Sequence, residues 1–73
     1  MKNGTLYETR IDLCFSSVIG DKIYLHRDEM VIFIELVKKN NMKMLYFLHK
    51  NQLIRHDISL EFDESQCFEA WFK

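Results

Sequence analysis

The sequence predicts a small single α+β domain over residues 1–73, with elements in the order ββαββα. The expected architecture is a four-stranded, mainly antiparallel sheet packed with two helices. Three observations predict it. Apolar residues alternate at period two through residues 5–15 and 22–26, two further strands are read at 42–49 and 53–62, and helical spacing appears around Met30 and again from Cys67 to Phe72. Proline is absent and only Gly4 and Gly20 occur, so few loops need unusual backbone angles and no flexible linker exists. Apolar residues make up 48% of the chain, which argues for a packed globule and against disorder. A mostly β meander ending in a C-terminal helix is the alternative arrangement.

The first strand covers residues 5–15. Tyr7, Ile11, Leu13 and Phe15 share one face, and Glu8, Arg10 and Asp12 the other. Gly20-Asp21 marks a turn, after which Ile23 and Leu25 alternate again, so the two segments are expected to form a hairpin. Asp28 then reads as an N-cap and Glu29 as a first-turn carboxylate. Met30, Phe33, Ile34 and Val37 follow with helical spacing, and Lys38 and Lys39 suit the last turn of a helix over residues 29–39. The β-branched Val31, Ile32 and Ile34 support the rival reading of this segment as a strand. Two further strands, 42–49 and 53–62, are joined by a short loop at Lys50-Asn51-Gln52. Asp63 caps a terminal helix whose stripe of Cys67, Phe68, Trp71 and Phe72 is expected to dock on the sheet. Recognition of another protein's groove by Phe68, Trp71 and Phe72 is the alternative use of that stripe.

The second hairpin carries more apolar residues than one face hides. A two-residue loop at Asn51-Gln52 groups Met42, Met44, Tyr46 and Leu48 with Arg55, Asp57, Ser59 and Glu61. A three-residue loop groups the same four with Ile54, His56, Ile58 and Leu60. In the first register Met42, Met44, Tyr46, Leu48 and Arg55 form a mixed apolar and cationic set of the kind that contacts another chain. These five are the candidate partner-binding residues.

Charge is unevenly distributed. The formal net charge is −1, yet residues 36–56 contain no acid and carry Lys38, Lys39, Lys43, Lys50 and Arg55. The last seventeen residues answer with Asp57, Glu61, Asp63, Glu64 and Glu69. Such asymmetry acts on partner choice and encounter rate. The five cations with Tyr46 and Phe47 make nucleic-acid binding the alternative function, although no helix-turn-helix, RNP or GxxG signature accompanies them.

No catalytic site, cofactor or metal is expected. His26, His49, His56, Cys14 and Cys67 are scattered, without a CxxC or HxxxH pair. Asp28-Glu29 and Asp63-Glu64 stand at expected helix starts, where capping explains them. The longest apolar run, Met30 to Ile34, is too short to span a membrane, and no apolar leader follows Met1. The sequence therefore predicts a cytoplasmic, non-enzymatic protein-binding module. It would modulate or inhibit a larger macromolecule or pair with itself, with no membrane partner and no small-molecule substrate.

Overall fold

The computed structural model describes residues 2–73, which form six strands and one helix. The strands are β1 (Thr5–Glu8), β2 (Leu13–Ser17), β3 (Lys22–Leu25), β4 (Met30–Lys39), β5 (Met42–His49) and β6 (Gln52–Ser59), and the helix is α1 (Glu64–Trp71). All strand pairings are antiparallel within one sheet, ordered β1-β4-β5-β6-β2-β3. The expected four-stranded sheet with two helices is overturned: the fold is mainly β, and its single helix is short.

The expected helix at 29–39 is instead the longest strand, for two physical reasons. Asp28 has φ 72°, left-handed rather than the extended backbone an N-cap adopts, and its carboxylate is paired with Lys73. The helical spacing draws on both faces of a strand that is apolar on each, since Met30 stands on the outer side with Ile32, and Phe33 on the inner side. The β4–β5 register shifts between Phe33 and Glu35, so Ile34 is an extra residue in the ladder. The insertion shifts the alternation by one, so Val37 joins Met30 on the outer side. Val31 and Phe33, both buried, keep true strand alternation before the bulge.

The expected strand at 5–15 is also divided. β1 and β2 are separated at residues 9–12, yet β1–β4 and β2–β3 keep one continuous register. Residues 5–17 and 22–33 thus act as one long hairpin bent in the middle. Its two halves attach to opposite edges of the β4-β5-β6 meander, which forces the sheet to curl. Thr9 holds the bend. It is fully buried, its hydroxyl donates to the His26 carbonyl at 2.8 Å, and the same hydroxyl oxygen accepts from the Glu29 N–H at 2.9 Å.

The meander turns at Asn40-Asn41 and Lys50-Asn51, with φ of 53° and 64°, then 48° and 64°. Paired positive φ values match the type I′ turns whose twist suits two-residue hairpins. Turning at Lys50-Asn51 sets Tyr46 opposite Arg55 and Leu48 opposite Leu53. This pairing is displaced by two residues from the first register considered, so each side chain keeps the face that register gave it.

The inner face holds an aromatic core. Phe15 stacks on Phe47 with centroids 5.7 Å apart, and Phe68 of α1 meets Phe33 edge-on at 5.2 Å. Asp63 caps the helix by accepting from the Ser65 N–H at 2.9 Å. Phe68 and Phe72 are buried on the sheet. They are spent in the core, so the groove-binding use of this stripe is not available to the folded chain. No helix among the described residues is long and apolar enough to cross a membrane.

His56 is packed between aromatic rings, with centroids 4.9 Å from Phe15 and 5.2 Å from Trp71. Burial lowers its pKa below the ordinary 6.5, against a smaller opposing effect of Asp57. Just below 6.5 the unfolded chain takes up a proton at this position that the folded chain refuses. Stability is therefore complete above 6.5 and falls as pH drops toward the folded value. Urea unfolding followed by Trp71 fluorescence should show this loss well above the range where carboxylates titrate, and H56L should flatten it.

Candidate functional site

The outer face of the sheet has no helix over it. Strand alternation sends Phe47, Leu45 and Ile54 inward and their neighbours outward, so the outer face can be read row by row from the ladders. Leu6, Ile32, Leu48 and Leu53 make one apolar row across β1, β4, β5 and β6. Glu35, Tyr46, Arg55, Ser16 and Lys22 make the next row, and Val37, Met44 and Asp57 the third. Lys39, Met42 and Ser59 close the face at its end.

The five residues singled out from the sequence, Met42, Met44, Tyr46, Leu48 and Arg55, all stand on this face. Leu6, Ile32, Val37 and Leu53 also belong to it and were missed. Val31-Ile32-Phe33 alternation carries the signal for Ile32, hidden by the helical reading of the segment. Leu6 is 55% exposed and Leu53 38%, high for leucines on a sheet.

Arg55 is held in place by its own strand. Its Nε and Nη2 donate to the two Asp57 oxygens at 3.0 and 2.9 Å, a bidentate pair between residues two apart on one face. The hydrogen bond to Asp57 holds the Arg55 guanidinium above its ordinary pKa, with a smaller contribution from Tyr46. The pair stands between two shallow hollows. One, of about 430 Å³, is lined by Val37, Met42, Met44 and Tyr46. The other, about 380 Å³, lies beside Ser16, Ser17 and Val18. The first hollow combines these apolar walls with Lys39, Asn40 and the Arg55–Asp57 pair, while the second is mainly polar.

The five cations of the nucleic-acid alternative are not gathered on one surface. Lys39 and Arg55 lie on the outer face. Lys43 points inward, 8% exposed, and its ammonium donates to Glu64 at 2.6 Å and to the Phe62 carbonyl at 2.7 Å. Lys38, opposite Lys43 in the ladder, shares that inner side. Lys50 sits at the far turn, 3.6 Å from Glu29. Carboxylates therefore meet three of the five, counting Asp57 at Arg55.

Cys14 is exposed on the outer side of β2, paired in the ladder with Tyr24, while Cys67 packs against the core from α1. Both are free thiols, and the sheet lies between them. Among the described residues, no group of three or more His, Cys, Asp or Glu side chains is placed to hold a metal ion. The Glu29 carboxylate accepts from the His26 N–H at 2.6 Å and lies 3.5 Å from His49 Nε2. The hydrogen bond from His26 is the main cause holding it below the usual carboxylate range. This group joins the turn before β4 to the end of β5, a structural task.

Comparison with protein-family models, curated proteins and solved structures returns no match.

Proposed function

We propose that the protein is a non-enzymatic binding module that docks another protein on the outer face of its sheet. The observation that carries this reading is the row Leu6, Ile32, Leu48 and Leu53 beside Tyr46, Met44 and Arg55, with no element among the described residues over it. Contiguous apolar area of this kind on a small domain marks interaction sites. Methionine adapts to a partner's shape, and Tyr and Arg are frequent interface anchors. A cytoplasmic setting belongs to the same proposal, and the two free thiols fit it. The partner's response, modulation or inhibition, follows from occupancy of whatever surface it presents.

The test uses immobilised protein and lysate of the source cell at high salt. A protein retained by the wild type should be lost with Y46E/L48E while α1 and the core stay intact by Trp71 emission. Equal recovery by both forms would remove the outer face from the interaction. The same immobilised protein challenged with oligonucleotides separates the nucleic-acid alternative, because phosphate binding weakens steeply with salt and apolar docking does not.

A further inference from the structure

Strand β4 has an unused edge. β1 pairs only with its first part, from Met30 to Phe33, and β5 occupies its other side as far as Lys39. Among the described residues nothing pairs with the outer edge of residues 35–39. The direction of the free backbone groups follows from the ladder. The Gly4 N–H donates to the Phe33 carbonyl at 2.6 Å, so Phe33 turns its polar groups toward β1. The bulge at Ile34 shifts the alternation by one, which leaves Leu36 and Lys38 presenting N–H and C=O outward. An exposed edge of this kind is a template for another strand.

We propose that residues 35–39 of β4 pair antiparallel with the same segment of a second copy, about a two-fold axis through Val37. The pairing uses the backbone edge of β4, whose Glu35, Val37 and Lys39 side chains stand at the margin of the outer face, and the inference does not rest on the docking reading given there. In this register Leu36 and Lys38 of each copy exchange both backbone hydrogen bonds, four in all across the axis. Val37 meets Val37 as the close, non-hydrogen-bonded pair. Glu35 of each copy lies directly opposite Lys39 of the other, on the outer face. Among the described residues neither side chain has an ion-pair partner within its own chain.

Lysines on an edge ordinarily discourage strand addition. Here the register decides the sign, because Lys39 meets a carboxylate and the Lys38 charge is offset by Glu64 on the inner side. Sliding two residues toward the chain end would set Lys38 against Lys38, and sliding the other way loses both Glu35–Lys39 pairs. Of the other exposed edges, β1 and β3 are four residues long and carry Glu8 and Lys22 as their only charges. Beyond its pairing with β2, β6 carries only Asp57, so none of the three offers an opposite charge to a second copy of itself. Self-complementarity thus selects one edge and one register. The pairing joins the third outer-face rows of two copies, Asp57-Met44-Val37, into a single continuous surface.

An interface of this size is small, so dissociation constants of roughly micromolar or weaker are expected. Sedimentation of the full chain should show a particle of twice the 8.9 kDa chain mass that dissociates on dilution. E35K and K39E should each weaken self-association by roughly tenfold or more, since like charges then face each other. Mixing the two variants should restore pairing, because both cross-strand contacts become opposite in sign. K38P removes an outward N–H without touching the β4–β5 ladder, and should be monomeric with unchanged Trp71 emission. A wild type that stays monomeric at its highest soluble concentration overturns the proposal. So does a dimer that survives both charge variants, or a mixture that pairs no better than its components.

Discussion

Phe47→Ala should leave most of the molecule unfolded at room temperature. The Phe47 ring is fully buried and has four aromatic neighbours, Phe15, Phe33, Phe68 and Phe72, at centroid distances of 5.6 to 5.8 Å. Two of these belong to the sheet and two to the C-terminal segment, so one ring joins the inner face to the elements that cover it. Truncating a buried Phe costs about 3–5 kcal/mol, through lost transfer energy and the cavity left behind. A single core in a chain this short supplies about that much in total. Urea titration monitored by Trp71 emission measures the loss. Ile19, 81% exposed at the β2–β3 turn, provides the contrast, and I19A should cost less than about 0.5 kcal/mol.

Glu64→Ala should destabilise the fold by about 2–4 kcal/mol, and more than Lys43→Met. Lys43 is 8% exposed, and its ammonium has two partners, Glu64 at 2.6 Å and the Phe62 carbonyl at 2.7 Å. Removing Glu64 strands a buried charge on a single carbonyl. Removing the charge is milder, since methionine keeps the aliphatic stem and Glu64, at the edge of the helix, can take up water. The double variant K43M/E64A should therefore resemble K43M. The hydrogen bond from Lys43 holds the Glu64 carboxyl below its ordinary 4.5. Its contribution is complete above 4.5 and is lost as pH falls through the folded value, a window distinct from that of His56. Thermal melts of the three variants at neutral pH and in mild acid measure both effects.

Residue by residue, the meander was the legible part of this chain. Arg55 joins Met42, Met44, Tyr46 and Leu48 only with a two-residue loop, but the grouping of those four on one face of β5 follows from strand spacing alone and could be read directly. The turn position could not, because Lys50-Asn51 and Asn51-Gln52 close hairpins of equal parity that differ only in which left-handed pair is tolerated. β4 was misread because both its faces are apolar, so Met30, Phe33, Ile34 and Val37 fit a helical period without sharing a face, and because Asp28-Glu29 look like a cap until their backbone is seen. The division of residues 5–15 was hidden for another reason. Thr9 stops the strand through bonds to His26 and Glu29, seventeen and twenty residues away. Lys43 was counted as a surface cation because its counter-charge, Glu64, lies twenty-one residues on. Local patterns reported faces; contacts distant in sequence decided the breaks and the buried charge.

The outer face extends the same distinction. Its apolar rows resemble core when read in one dimension, and only the sheet order shows that α1 covers the inner side alone. On the function proposed, stability and recognition are divided between the two faces of one sheet. Photo-cross-linking in the source cell tests that division most directly, with the reactive side chain placed at Leu48 on the outer face or at Gln66 on the exposed side of α1. Position 48 should give one discrete protein adduct, competed away by unlabelled protein, while position 66 gives none. Equal, diffuse labelling from both positions, or an adduct from position 66 alone, would contradict the assignment of the outer face as the docking surface.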